Sequence, residues 1–151
     1  FYATGMRLAE LTSLNLSDLN FDDYSIRITG KGNKQRIVFM NQSSIDALKV
    51  YLEARPNTKD SAIFLNRFYS RLSRRAVEIL FDKLKEEAGV FKNASPHTMR
   101  HSFATHLLDG GADLVTIKEL LGHASLSTTQ VYTNLSRVTM RGVYDKSHPR
   151  Q

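Results

Sequence analysis

The 151-residue chain contains no cysteine and no tryptophan, and it has only three prolines. Without cysteine it has neither disulfides nor thiolate ligands for a metal, which fits a reducing cytoplasm. No apolar run approaches the roughly 18–20 residues that a membrane-spanning helix needs, and no signal-peptide pattern is visible. The sequence therefore favours a protein that is neither disulfide-stabilised nor embedded in a membrane.

Basic residues are in excess, since lysine and arginine number 21 against 15 aspartates and glutamates, which gives a net charge of +6. An excess of this size favours an anionic partner, of which nucleic acid is the commonest. The length and a hydrophobic content of 41% fit one globular domain that covers residues 1–151. The chain begins at Phe1 inside an apolar, helix-like segment, so we expect an excised domain that lacks its N-terminal part.

The residue patterns predict a mostly helical α+β protein with one small antiparallel sheet. Alternating apolar and polar residues at 25–29 and 35–40 predict two strands, joined by a hairpin turn with the sequence Gly-Lys-Gly-Asn-Lys at 30–34. A short apolar stretch at 62–65 predicts a third strand. Helices are predicted at 7–14, from Ser43 or Ser44 to about 54, at about 70–88 and at 136–144. Two more are predicted from a cap at Ser95 to Gly110 and from a cap at Asp113 to 121, the latter closed by Gly122.

The predicted helix at 70–88 has two different faces. Its apolar face is formed by Ala76, Val77, Leu80, Phe81 and Leu84. Arginines at its start and on the opposite face are candidate contacts to a DNA groove or backbone, and a solvated charged face is the alternative. The same two interpretations apply to the basic residues beside the hairpin turn. The candidate DNA-binding residues are therefore Lys34, Arg36, Arg71, Arg74 and Arg75.

Tyr132 is the candidate nucleophile of the chain. Spacing alone does not separate it from Tyr69 or Tyr144, and a buried core tyrosine is the default for each of them. A phenol attacks a phosphodiester only if cationic donors neutralise the phosphate. Guanidinium groups suit that task because they stay charged and grip two oxygens, so Arg7 and Arg100 are candidates, with ordinary surface arginines as the alternative.

Three further side chains are candidates for proton transfer or for binding the phosphate. His97 lies three residues before Arg100, so on a helix it shares a face with that arginine and is suited to moving the phenolic proton. Lys31 in the hairpin turn would donate a proton to the leaving oxygen, and His123 would hydrogen-bond a phosphate oxygen. The alternatives are a histidine satisfied in the first helical turn, a solvated lysine and a helix-capping histidine.

Two other patterns resemble ligand sites but lack a required residue. His97 and His101 have the spacing of zinc ligands on a helix, yet Thr98 stands where the zinc-protease pattern requires glutamate, so no metal is expected. The turn at 30–34 lacks the spacing of a phosphate-binding loop. A metal-dependent hydrolase stays open as an alternative, and it predicts bound zinc.

Five blocks of the sequence together closely resemble the catalytic domain of tyrosine recombinases, the phage-integrase superfamily, and especially its Xer-type members. The blocks are Ala-Thr-Gly-Met-Arg-Leu-Ala-Glu-Leu at 3–11, Gly-Lys-Gly-Asn-Lys at 30–34, Ser-Pro-His-Thr-Met-Arg-His-Ser-Phe-Ala-Thr-His at 95–106, Leu-Leu-Gly-His at 120–123 and Ser-Thr-Thr-Gln-Val-Tyr at 127–132. They stand in the family's order and cover nearly the whole chain. The resemblance implies that family's fold, a small β-hairpin or sheet packed on helices.

The same resemblance implies a site-specific recombinase that cleaves and rejoins DNA without a metal or cofactor. Tyr132 would attack the phosphate and form a 3′-phosphotyrosyl link, and strands would be exchanged through a Holliday junction. Lys31 would be the general acid, His97 would assist proton movement at the nucleophile, and Glu10 would orient the active-site cations. The implied catalytic set is Tyr132, Arg7, Lys31, His97, Arg100 and His123, supported by Glu10.

The partners and location are implied by the resemblance as well. We expect a homo- or hetero-tetramer on double-stranded DNA, assembled through residues 136–151. Two alternatives stay open for this segment, namely that it docks onto a neighbouring protomer or onto its own protomer. The chain alone is expected to be a monomer that binds DNA weakly, because the family's N-terminal clamping domain is absent. A cytoplasmic, nucleoid-associated location is expected. The alternatives are a mobile-element integrase, a type IB topoisomerase or telomere resolvase, and a non-catalytic DNA-binding relic of the same fold.

Overall fold

The computed structural model describes residues 1–30, 33–90, 94–122 and 137–149. These residues form six α-helices, one short 3-10 helix (Leu16–Asp18) and three short strands, so the predicted class, mostly helical with a small antiparallel sheet, is confirmed. Within the described ranges, no helix is long and apolar enough to cross a membrane. The elements in chain order are α1 (Leu8–Ser13), β1 (Leu19–Asn20), β2 (Ser25–Thr29), β3 (Gln35–Phe39), α2 (Gln42–Ala54), α3 (Arg74–Glu87), α4 (Pro96–Asp109), α5 (Leu114–Leu121) and α6 (Arg137–Ser147).

The sheet has the strand order β1-β2-β3, and both pairings are antiparallel. Strands β2 and β3 occur where the alternating pattern predicts them, and the Gly30 N–H donates to the Lys34 carbonyl at 2.8 Å across the turn. The predicted third strand at 62–65 is wrong. That stretch forms only isolated bridges, because the Arg55 guanidinium rather than a neighbouring strand binds the carbonyls of Ala62 and Ile63.

Capping side chains fix where the helices begin, and two predicted starts are shifted. Helix α2 begins after Asn41, whose side chain accepts the Ser44 N–H at 3.2 Å, so neither predicted serine is the cap. Helix α3 begins after Ser73 instead of near residue 70, because Asn66 and Ser70 close a turn immediately before it. The predicted caps of α4 and α5, Ser95 and Asp113, are confirmed.

Two clusters of buried side chains form the core. One lies between the sheet and α2 and includes Ile26, Ile28, Val38, Ile45 and Ile63. The other joins β3 to the last three helices, and it includes Phe39, Phe103, Leu107, Leu120 and Tyr144. Since β3 contributes to both clusters, it holds the sheet and the helices α4, α5 and α6 in one arrangement.

The apolar face predicted for the long helix is largely exposed. Of its five residues only Val77 is buried, whereas Leu80 and Leu84 are 48% and 53% exposed. Phe81 makes an edge-to-face contact with Phe1, with ring centroids 6.4 Å apart. The periodicity was correct about which face is apolar, but burial depends on a neighbouring element, and α1 covers only part of this face.

Candidate functional site

Arg7 and Glu10 meet at the first turn of α1. Arg7 is the N-cap residue, and its backbone N–H donates to Glu10 Oε2 at 2.6 Å. Its guanidinium also donates, from Nη1 to Glu10 Oε1 at 3.0 Å, while the side chain as a whole remains 45% exposed. The helix start thereby holds Arg7 at the protein surface. Within the described residues, its guanidinium uses one of its five N–H donors, and that donor binds Glu10.

The Glu10 carboxylate is the buried centre of the site, with a side chain only 5% exposed. Besides the two donors of Arg7, it accepts bidentate hydrogen bonds from Arg36, from Nη1 to Oε1 at 2.7 Å and from Nη2 to Oε2 at 2.9 Å. Burial by itself raises the pKa of Glu10, but the Arg36 and Arg7 hydrogen bonds together outweigh it and lower the pKa to about 2. Glu10 is therefore ionised at any physiological pH.

The low pKa of Glu10 predicts acid-sensitive stability. Because the folded-state value of about 2 lies below the usual 4.5, the stabilisation is complete above pH 4.5 and is lost as the pH falls toward 2. The loss is on the order of 3 kcal/mol of unfolding free energy. Urea unfolding between pH 2 and pH 7 measures it. We expect Glu10→Gln to flatten the dependence of the unfolding free energy on pH. Glu53 is an exposed carboxylate on α2, so Glu53→Gln should leave that dependence steep. Equal pH profiles for the two variants would contradict the prediction.

Arg100 approaches the same centre from α4 and is itself buried, with 6% of its surface exposed. Its guanidinium donates to the carbonyls of Gly5 and Leu121, the latter at 2.7 Å. Burial lowers the pKa of Arg100, the positive charges of Arg7 and Arg36 lower it further, and the negative charge of Glu10 raises it. The resulting pKa of about 10 keeps Arg100 charged at neutral pH. Three guanidinium groups around one carboxylate leave an excess of positive charge, which suits an anion such as a phosphate.

Two glycines allow the segments of the site to approach one another. Gly5 has φ +61°, and a Cβ there would lie 2.7 Å from Phe103 Cε1. Gly122 ends α5 with φ +66°, and a Cβ there would lie 2.9 Å from Arg36 Cδ. At each position a larger residue would both strain the backbone and displace a neighbour.

The other predicted catalytic residues are placed as follows. His97 is exposed in the first turn of α4, three residues before Arg100. Across the described part of the chain, no group of three or more potential ligands lies close enough to hold a metal ion, and His101 is exposed. The predictions for Lys31, His123 and Tyr132 fall outside the described residues.

Comparison with known proteins gives the family. Residues 1–138 match the Phage integrase family. The chain belongs to that family. It is 47% identical over 151 residues to the tyrosine recombinase XerC of Haemophilus ducreyi, which covers 99% of this chain and 50% of that protein. Among solved structures, the XerA recombinase superposes with a TM-score of 0.78 at 37% identity, covering 99% of this chain and 56% of that one.

A second solved structure is the XerH site-specific recombinase bound to its difH substrate in a pre-cleavage complex. It superposes with a TM-score of 0.72 at 31% identity and covers 93% of this chain and 42% of that chain. The chain thus spans about half the length of the relatives that it matches. These comparisons confirm the predicted fold and the Xer-like resemblance.

The five predicted DNA contacts of this phage integrase family member fall into two groups. Lys34, Arg74 and Arg75 are exposed, Lys34 beside the hairpin turn and the other two at the start of α3. Arg75 also pairs with Glu78 Oε2 on the same helix at 3.4 Å. Arg36 and Arg71 instead bind residues of other segments. Arg71 Nη1 donates to the carbonyls of Thr12 and Leu14, both at 3.0 Å, so this arginine connects the segment before α3 to the end of α1.

Sequence reasoning assigned Arg36 to the surface and missed its place inside the site. The available signal was the strand register, in which Arg36 lies opposite Ile28. Directly opposed residues of an antiparallel pair project to the same face of a sheet, and Ile28 is fully buried. That register predicts an inward side chain at position 36, which for an arginine requires a buried acidic partner.

Proposed function

We propose that this chain is the catalytic domain of a site-specific DNA recombinase of the Xer type, and that it cleaves DNA through a 3′-phosphotyrosyl intermediate at Tyr132. The observation that carries the proposal is the cluster of Arg7, Arg36 and Arg100 around the ionised Glu10. Membership of the phage integrase family and 47% identity to XerC support it. The same identity favours a chromosomal Xer enzyme over a mobile-element integrase.

Arg7 and Arg100 would neutralise the phosphate during attack. A guanidinium has five N–H donors, of which Arg7 directs one to Glu10 and Arg100 directs two to backbone carbonyls. No residue of the described ranges accepts from the remaining donors, which would bind the non-bridging oxygens, on which negative charge builds up in the pentacovalent transition state. Because Glu10 and the carbonyls already fix both groups, little reorganisation is required when that charge develops.

The proton transfers would be performed by the other members of the predicted set. Lys31 would protonate the leaving 5′-oxygen, His97 would assist removal of the phenolic proton of Tyr132, and His123 would hydrogen-bond a phosphoryl oxygen. The phosphotyrosyl bond conserves the energy of the broken phosphodiester, so rejoining by the 5′-hydroxyl requires neither nucleotide nor metal. Lys34, Arg74 and Arg75 are exposed and would contact the DNA backbone.

The partner would be double-stranded DNA, bound in the cytoplasm at the nucleoid by a tetramer assembled through residues 136–151. In the structure, α6 packs against α4 of its own chain. Tyr144 is 1% exposed and donates to the Ala3 carbonyl at 2.8 Å, and its ring stacks on His148 with centroids 5.0 Å apart. A helix held by one such apolar face can be exchanged for the same helix of a neighbouring protomer.

A covalent trapping experiment tests the proposed function. The full-length protein is incubated with a library of nicked duplexes, in which the cleaved end diffuses away and the phosphotyrosyl adduct cannot be rejoined. We expect an adduct that resists detergent and chelator, with the DNA attached to the peptide that contains Tyr132 by mass spectrometry. Binding without any adduct would indicate a non-catalytic relic, and chelator-sensitive cleavage would indicate a metal-dependent hydrolase.

A further inference from the structure

The C-terminal end of α5 is held by two arginines from other elements. The last carbonyls of a helix lack partners within the helix and form the negative end of its dipole. Here the Leu120 carbonyl accepts from Arg36 Nε at 2.8 Å, and the Leu121 carbonyl accepts from Arg100 Nη2 at 2.7 Å. Two guanidinium groups, one from β3 and one from α4, therefore fix the point at which the chain leaves α5 toward position 123.

Arg36 uses the other edge of its guanidinium to hold Glu10. Both of its Nη atoms bind the carboxylate, which also accepts the backbone and side-chain donors of Arg7. The Arg36 side chain is only 11% exposed, against 45% for Arg7. One guanidinium thus connects β3, the start of α1 and the end of α5, and it does so from inside the protein.

The backbone that leads into two of the predicted catalytic residues, Lys31 and His123, also approaches Arg36. A Cβ on Gly30, the residue before Lys31, would lie 3.8 Å from Arg36 Nη1 and 3.7 Å from Glu10 Oε1. A Cβ on Gly122, the residue before His123, would lie 2.9 Å from Arg36 Nη1. The side chain of Arg36 therefore contacts or faces the segments that precede both positions.

We propose that Arg36 is a positioning residue for DNA cleavage, which sets the relative placement of Arg7, Arg100 and the backbone at the end of α5 without touching DNA. This inference rests on the proposed function. Lysine cannot replace arginine here, because a single ammonium group cannot bind both carboxylate oxygens and the Leu120 carbonyl at once. A displacement of about 1 Å at a reacting centre lowers a rate by about 10²-fold.

The test compares Arg36→Lys with Arg27→Lys, an exposed arginine on β2 outside the predicted DNA contacts, in the full-length protein. Single-turnover cleavage at saturating nicked duplex, DNA affinity at several salt concentrations and thermal unfolding are measured for each. For Arg36→Lys we expect cleavage to fall about 30- to 100-fold, with the dissociation constant changed less than about threefold and its salt dependence unchanged. Arg27→Lys should cleave within about threefold of the wild type.

A second pair of variants keeps the test decisive if Arg36→Lys does not fold. Gly122→Ala pushes a methyl group against Arg36 and leaves every charge in place, whereas Gly89→Ala creates the same backbone strain, at φ +65°, with nothing within 4 Å. We expect slower cleavage at unchanged DNA affinity only in Gly122→Ala. Equal cleavage by the two alanine variants would overturn the inference.

The remaining outcomes separate this inference from the proposed function. A salt dependence reduced by about one counterion in Arg36→Gln, which removes the charge, would identify a direct phosphate contact, and wild-type cleavage by Arg36→Lys would exclude positioning; either result overturns the inference alone. Absence of an adduct from the wild-type protein on every duplex would overturn the proposed function, and the inference with it.

Discussion

Tyr132→Phe is expected to abolish the covalent protein–DNA adduct and to lower strand cleavage by at least about 10⁴-fold, because no other group on the chain would supply the attacking oxygen. DNA affinity should stay within about threefold of the wild type, since the phenol hydroxyl is a small part of a contact dominated by phosphate charge. Detergent-resistant adduct after a fixed incubation, together with anisotropy titrations of the same duplex, measures both quantities.

The other tyrosines provide controls for this prediction. Tyr144 is buried, donates to the Ala3 carbonyl and has a pKa raised by burial, which makes it a poor nucleophile. Tyr51 donates to the Ile63 carbonyl, and Tyr69 is exposed in the turn before α3. We expect Tyr69→Phe to form the adduct as the wild type does. An adduct that persists in Tyr132→Phe, or that disappears in Tyr69→Phe, would show that the nucleophile was assigned wrongly.

Arg100→Lys is expected to lower cleavage by about 10²–10³-fold, the usual effect of removing one preorganised donor to a developing negative charge. It should also destabilise the fold by about 1–3 kcal/mol, because lysine lacks the planar fork whose Nη1 and Nη2 reach the carbonyls of Gly5 and Leu121 separately. Urea unfolding measures the stability, and single-turnover cleavage at saturating DNA, corrected for the folded fraction, measures the catalytic loss.

Arg27→Lys is the matched control, since Arg27 is exposed on β2 and lies outside the predicted DNA contacts. It should unfold at the wild-type urea concentration and cleave at nearly the wild-type rate. Cleavage by Arg100→Lys within threefold of the wild type would contradict a direct role for Arg100 at the phosphate. Slow cleavage without any loss of stability would contradict the contacts described for its guanidinium.

The local features of the fold were predictable from the sequence. Strand β2, the turn after it, the Ser95 and Asp113 caps and the left-handed Gly122 each depend on residues only a few positions apart. The third strand and the burial of the apolar face of α3 could not be predicted in the same way. Each requires a neighbouring element, and a periodic pattern contains no information about whether one is present.

The residues of the site also differ in whether the sequence predicted their place. Arg7, Glu10 and Arg100 were selected by motif, and their residue types follow from the chemistry of a phosphate. The place of Arg36 did not follow, because its partners lie far away in sequence: Glu10 is 26 positions distant and Leu120 is 84. Arg71 is similar, since its carbonyl partners lie 57 and 59 positions before it.

The sequence by itself determined the family, the caps of α4 and α5 and the set of residues suited to phosphate chemistry, since each of these depends on residue type at short spacing. Only the tertiary structure decided which arginines face solvent and which are held inside. That choice depends on whether a buried carboxylate or an unpaired helix-end carbonyl lies within hydrogen-bonding distance of a guanidinium group, and only the folded chain creates such a partner.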